Sequence, residues 1–147
     1  MRSIVFLWLL GLLHPLLAEP PRELTDQEKL QGEWVLVGLD IREESVPAEK
    51  LSGTTLIIKK EKYTTLVKKK EYPATFTLDP KQDPKQIDML IPDDSGKPQL
   101  SKGIYKIDGE KLIICRGQAP GGDRPRNFVS SATNDVFVMT WERKPKP

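Results

Sequence analysis

Histidine is almost missing from this 147-residue chain: the only one is His14, and the only cysteine is Cys115. A Ser-His-Asp or Cys-His mechanism needs an imidazole to carry a proton, so these devices have little to build on. A zinc site needs His or several Cys, so no metal site is expected. One cysteine forms no internal disulfide, and stability has to come from burial. Charge of one sign is missing too. The chain carries 23 basic and 21 acidic side chains, a formal net charge of +2. A nucleic-acid-binding domain would show a marked basic excess, so no nucleic-acid partner is expected. Long apolar runs are also lacking. The run Ile4–Leu13 falls short of the roughly 20 residues that a spanning helix needs.

What is present at the N-terminus has the grammar of a secretory signal. Arg2 precedes that apolar block, Pro15 interrupts it, and the small residue Ala18 follows. Residues 1–18 are therefore read as a signal peptide cleaved after Ala18. The protein is expected to be exported, periplasmic or extracellular, with membrane association only if the segment is retained. No cysteine near the cut could carry a lipid. Cleavage would remove His14 and leave no imidazole. Arg2 is the only charge removed, so 22 basic side chains would face 21 acidic ones.

Residues 19–24, with Pro20 and Pro21, read as a linker. Thr25-Asp26-Gln27-Glu28 is a capping box that starts a short helix ending before Gly32. Strand signals follow. Glu33–Asp40 is rich in Val and Leu, and Ile41–Val46 is read as a returning strand. Thr54–Lys59 and Lys62–Lys68 form a hairpin around Lys60-Glu61. Ala74, Phe76 and Leu78 alternate with threonines, as Ile87, Met89 and Ile91 do with polar neighbours. Gly103–Ile107 leads through Asp108-Gly109 into Lys111–Cys115, and Asp-Gly suits a tight hairpin turn. Gly117–Arg126 is a Gly/Pro-rich loop, Asn127–Ser130 a strand candidate and Asp135–Arg143 a clear strand. Residues 144–147 read as a disordered, Pro-rich tail. The expectation is one all-β domain over residues 25–143, a small antiparallel β-barrel of eight to ten short strands with a short N-terminal helix.

Gly32-Glu33-Trp34 after a short helix resembles the G-x-W arrangement of lipocalin-like barrels. That resemblance implies that Trp34 plugs the closed end beneath an Arg from the last strand, here Arg143, with a cation–π gain of about 0.5–2 kcal/mol. A wider set of segments carries a closer likeness. These are Lys29-Leu30-Gln31-Gly32-Glu33-Trp34, Val46-Pro47-Ala48-Glu49, Leu78-Asp79-Pro80-Lys81, Pro84-Lys85-Gln86-Ile87-Asp88, Lys102-Gly103-Ile104-Tyr105, Asp108-Gly109, Leu112-Ile113-Ile114-Cys115, and Arg124-Pro125 with Phe128. Together they are similar to the lipocalin-like domain family that planctomycete bacteria carry in many paralogous copies, over about Asp26 to Arg143. The likeness implies a small exported barrel and no established activity, substrate or catalytic residue. The chain departs from that pattern at Arg42-Glu43-Glu44-Ser45, where members often have an Asp-Gly turn.

No catalytic set is expected, and no cofactor. Cys115 follows an apolar run and reads as a small buried hydrophobe. A lone reactive thiol there would need an electropositive pocket. The carboxylates Asp79, Asp83, Asp88, Asp93 and Asp94 match no calcium loop, and no pair stands out for glycoside hydrolysis. Lys59-Lys60-Glu61-Lys62 and Lys68-Lys69-Lys70 read as solvated edges that flank one hairpin. Ligand contacts are expected from Tyr105 and from the arginines around the Gly/Pro-rich loop, Arg116, Arg124 and Arg126. Structural roles are expected for Gly32, Trp34, Arg143, Asp108, Gly109 and Cys115. The leading expectation is a non-enzymatic module that binds a small molecule. The first alternative is an envelope domain that meets a partner protein through its outer surface. An enzyme resting on Cys115 or a carboxylate pair comes third. Bulky inward residues such as Phe76, Met89, Tyr105 and Trp141 would favour the outer-surface reading.

Overall fold

A computed structural model describes residues 21–145. The expected signal peptide, the first residues of the linker and the end of the tail lie outside them. Helix α1 (Asp26–Leu30) is followed by β1 (Gly32–Ile41), β2 (Glu44–Ser45), helix α2 (Ala48–Leu51) and β3 (Thr54–Lys59). Then come β4 (Lys62–Val67), β5 (Lys70–Asp79), β6 (Gln86–Pro92), β7 (Pro98–Asp108), β8 (Lys111–Gly117) and β9 (Val136–Arg143). Each strand pairs antiparallel with the next in the order β1-β3-β4-β5-β6-β7-β8-β9, and β9 pairs back with β1. The result is a closed eight-stranded meander, a lipocalin-like barrel, with β2 as an extra short strand on β1. Closure leaves no long sheet edge to pair with another chain.

Alternation builds the core. Leu56 and Ile58, Ala74 and Phe76, Ile87 and Met89, and Leu112 and Ile114 lie on one face of their strands and are all buried in one cluster. Trp34, Tyr105 and Trp141 are each at most 1 % exposed and belong to it. Burying such side chains contributes roughly 1.5–3 kcal/mol each. Strand β1 breaks strict alternation. Its pairing with β9 slips between Leu36 and Gly38, so Val37 bulges out. The slip changes the parity: Trp34 and Leu36 are buried before it, and Leu39 packs on the same core after it.

A second, smaller cluster lies on the outside of the wall. Ile104, Cys115, Val136 and Val138 face away from the barrel and are covered with Phe128 from the long β8–β9 connection. Arg124 fixes that loop. Its Nη1 donates to the carbonyls of Gly103 (2.7 Å) and Ile87 (3.3 Å), and its Nη2 lies 2.7 Å from Asp88.

The structure differs from the sequence reading in several local features. Residues 127–130 form no strand: Phe128 reaches down as a plug over the outer cluster, and Asn134 holds the carbonyl of Val129 instead of a ladder partner. The expected return strand shrinks to Glu44–Ser45, because α2 follows at once. The β7–β8 turn sits one residue later than Asp108-Gly109. Asp108 pairs with Lys111, so Gly109 and Glu110 are the turn residues, with Gly109 at φ 57°. Finally, β4 separates the two lysine runs, which lie at opposite ends of the barrel.

Candidate functional site

The two ends of the barrel are chemically unlike. At one end α1 lies across the opening. Its capping box is complete: the Thr25 hydroxyl accepts from the Glu28 amide (3.3 Å), and Glu28 accepts from the Thr25 amide (2.8 Å). Trp34 Nε1 donates to the carbonyl of Leu30 at 3.0 Å. The Arg143 guanidinium lies 4.1 Å from the Trp34 ring centroid. It also donates to the carbonyls of Lys29 and of Gln31, the latter at 2.9 Å, and pairs with Glu110 at 3.0 Å. Arg143 thus satisfies carbonyls that the helix end leaves open. Gly32 is required here: its φ is 121°, and a Cβ would come within 3.3 Å of Arg143 Nη1.

Tyr105 belongs to the same closed end. Its ring is buried, and its hydroxyl donates to Asp26 Oδ2 at 2.8 Å, where Lys85 also binds at 2.7 Å. Burial alone would push the Asp26 carboxyl up, but the bonds from Lys85 and Tyr105 outweigh it and hold it below its ordinary value. Burial, together with Asp26, pushes the Tyr105 hydroxyl far above its ordinary value. Tyr105 is a clasp for α1.

The opposite end carries Arg116. On β8, Leu112, Ile114 and Arg116 share the inward face, so the guanidinium points into the barrel. It lies 5.3 Å from the Phe137 ring, and its one recorded hydrogen bond is from Nη1 to the carbonyl of Gly117 (3.0 Å). Among the described residues it pairs with no carboxylate. Burial lowers its proton affinity, while Tyr63, on the diametrically opposite strand β4, acts the other way. The Tyr63 hydroxyl is itself pushed well up by burial, with Arg116 and Thr65 opposing.

Two further polar groups stand on the same wall. Ser101 shares the inward face of β7 with Tyr105, is 2 % exposed, and its Oγ has no partner. Gln118 continues the inward phase of β8, its amide bonded to the carbonyl of Asp135, and its Nε2 is also buried without a partner. Gly103 faces Arg116 across β7 and β8, where a Cβ would approach Arg116 Cβ to 3.1 Å. Its lack of a side chain makes room for the arginine.

The four expected ligand contacts therefore do not converge. Tyr105 is at the closed end, Arg116 is inside the open end, Arg124 is tied to the outer wall, and Arg126 is exposed beside an outer hollow of about 680 Å³ under the loop. Ser101, Gln118 and Tyr63 were missing from the sequence reading. Their signal was phase: each is polar, or carries a hydroxyl, at a position that alternation turns inward. Cys115 lies in the outer cluster at 0 % exposure, and burial pushes its thiol up to about 11. An activated thiolate needs the opposite shift. Among the described residues no group of three or more acidic, His or Cys side chains gathers as a metal site. No described helix is long and apolar enough to cross a membrane. No family model, curated protein or solved structure matches the chain.

Proposed function

We propose that this chain is an exported, non-enzymatic binding module, one of the lipocalin-like domains of the planctomycete type, and that it takes a small molecule at the open end of its barrel. One observation carries the reading: the Ser101 hydroxyl and Gln118 Nε2 are buried without partners on the inward wall beside the half-buried Arg116, although buried polar groups are nearly always paired. The deep interior is occupied by Phe76, Met89, Tyr105 and Trp141, the filling that favours the outer-surface reading, so a small-molecule site has room only near the rim. Export rests on the signal grammar of residues 1–18.

Native mass spectrometry of the protein purified from its source tests both parts. The expected species has lost residues 1–18 and carries a small-molecule adduct that is released on unfolding. A full-length mass would remove export, and an unloaded protein that takes up nothing from a metabolite extract would remove the binding role.

A second reading has its own observation. Leu90 and Leu100 pair across β6 and β7 on the outer wall, 45 % and 40 % exposed. An apolar pair in that position suits a protein partner. Replacing both with Thr would weaken association with such a partner and leave small-molecule binding unchanged.

A further inference from the structure

Resting on the open-end reading above, we infer that Arg116 is the counter-ion for the carboxylate head of a small apolar acid, seated against β7 and β8. Arg116 is half-buried at the mouth, and a guanidinium carries several N–H donors in a planar fork. The structure accounts for one of them, on the Gly117 carbonyl. The Phe137 face supports the cation but accepts no conventional hydrogen bond. The remaining donors match the two oxygens of a carboxylate.

The neighbours fit the same head group. Ser101 is a diagonal neighbour of Arg116 on the adjacent strand, two residues from its register partner Gly103. Its buried, unpartnered hydroxyl can donate to an anion, as can the unpartnered Gln118 Nε2. Arg116 is the only cation in this group, which favours a single negative charge over a phosphate dianion. The lip also carries charge, in the Arg42–Asp135 pair and in Lys70, whose Nζ lies 5.0 Å from the Tyr72 ring, but β4 and β5 present apolar surface there. Val67 and Tyr72 share the faces that Tyr63 and Ala74 turn into the core, yet remain 37 % and 48 % exposed at the rim. A short hydrocarbon tail would cover them. The head group therefore points down to Arg116 and the tail lies toward β4 and β5.

Calorimetric titration of the purified protein with octanoate, octanol and octyltrimethylammonium tests the inference. Octanoate is expected to bind, the other two more weakly by at least about tenfold. Arg116→Met should lose octanoate by a similar factor, and Arg116→Lys should keep part of it. A variant that fails to fold is replaced by a measurement on the unaltered protein: the Arg116 Nε–H resonance should shift with octanoate and stay still with octanol. Equal binding of octanoate and octanol, octanoate binding that survives Arg116→Met, or an unmoved Arg116 resonance would each overturn the inference. If a neutral adduct is retained from the source while octanoate does not bind, the carboxylate assignment fails and the binding role stands. If nothing is retained or taken up, both fail.

Discussion

The closed and open ends of this barrel are made by the same eight strands, yet they treat polar groups in opposite ways. At the closed end Trp34 Nε1, the Tyr105 hydroxyl, Asp26 and every nitrogen of Arg143 have partners. At the open end the Ser101 hydroxyl and the Gln118 amide nitrogen have none, and Arg116 has one. The unpartnered Trp141 Nε1 is the exception nearer the closed side. Polar groups that are fully bonded specify and lock a fold, whereas unsatisfied ones cost stability. The closed end is therefore read as architecture, and the open end as the place where buried polar groups cost stability, as the proposed binding role requires.

The largest expected effect contrasts the two arginines. Arg143→Ala removes the stack on Trp34 and two charge-assisted bonds to α1, and should cost about 2–4 kcal/mol in urea unfolding followed by tryptophan fluorescence. Arg116→Met removes an unpaired inward charge and leaves apolar volume. It should be neutral or stabilising. Equal losses from the two variants would abolish the distinction between the ends.

Next in size is Gly103→Ala. The added Cβ would lie 2.8 Å from the Cys115 carbonyl and 3.2 Å from Ile87 Cγ2, both fixed parts of the wall. A loss of about 1–3 kcal/mol is expected from this overpacking. Gly109→Ala meets open space and strains only a positive φ, so about 1 kcal/mol is expected. If Gly103→Ala proved harmless in thermal unfolding, the close fit of β7 against Arg116 would be wrong.

The barrel was readable in the chain because its signals are local. Thr25 and Glu28 announce the helix start, and Ala74-Thr75-Phe76-Thr77-Leu78 announces a half-buried strand; both need only neighbours in sequence. The Trp34–Arg143 contact was anticipated through the likeness of Gly32-Glu33-Trp34 to the G-x-W arrangement of lipocalin-like barrels. The open-end site was not. Arg116 looked like one of three arginines around a loop, because adjacency in sequence is blind to side-chain phase. Once β8 is in phase with Leu112 and Ile114, Arg116 turns inward, while Arg124 is drawn to carbonyls of β6 and β7. Phe128 misled for a related reason. Its apolar character belongs to a plug over Ile104 and Cys115, and a plug needs no strand.

Acid sharpens the comparison from the other side. Bonds from Arg22 and Thr25 hold the Glu28 carboxyl down to about 2 from its ordinary 4.5, and Asp26 is held below its ordinary 3.8. Both groups release protons more readily in the folded chain than in the unfolded one. Their ionised forms therefore favour the folded state. That contribution is complete above pH 4.5 and is lost as pH falls toward about 2. Hydrogen exchange of the α1 amides and the Trp34 indole should accelerate in this window before the strand amides respond. Asp26→Asn should remove part of the effect, and simultaneous opening of both ends would contradict the clasp.

The smallest effect concerns the turns. At the closed end Lys60 has φ 54°, but Gln31 brackets it, accepting from its amide at 2.6 Å and donating to its carbonyl at 3.2 Å. At the open end two turns place non-glycine residues at positive φ in succession: Arg42 and Glu43 at 50° and 69°, Lys68 and Lys69 at 48° and 70°. Such turns favour Asn-Gly, and an ordinary side chain costs about 1 kcal/mol at each site. Arg42 also pairs with Asp135 at 2.9 Å, an exposed contact worth little. The Lys68-Lys69 turn is the cleaner test, and Lys68→Asn with Lys69→Gly should raise stability by about 1 kcal/mol. Lys69→Gln removes the charge without relieving the backbone. If it raised the melting temperature as much as the Asn-Gly pair, repulsion within Lys68-Lys69-Lys70 would be the cost, and the open end would be strained electrostatically and not in its backbone.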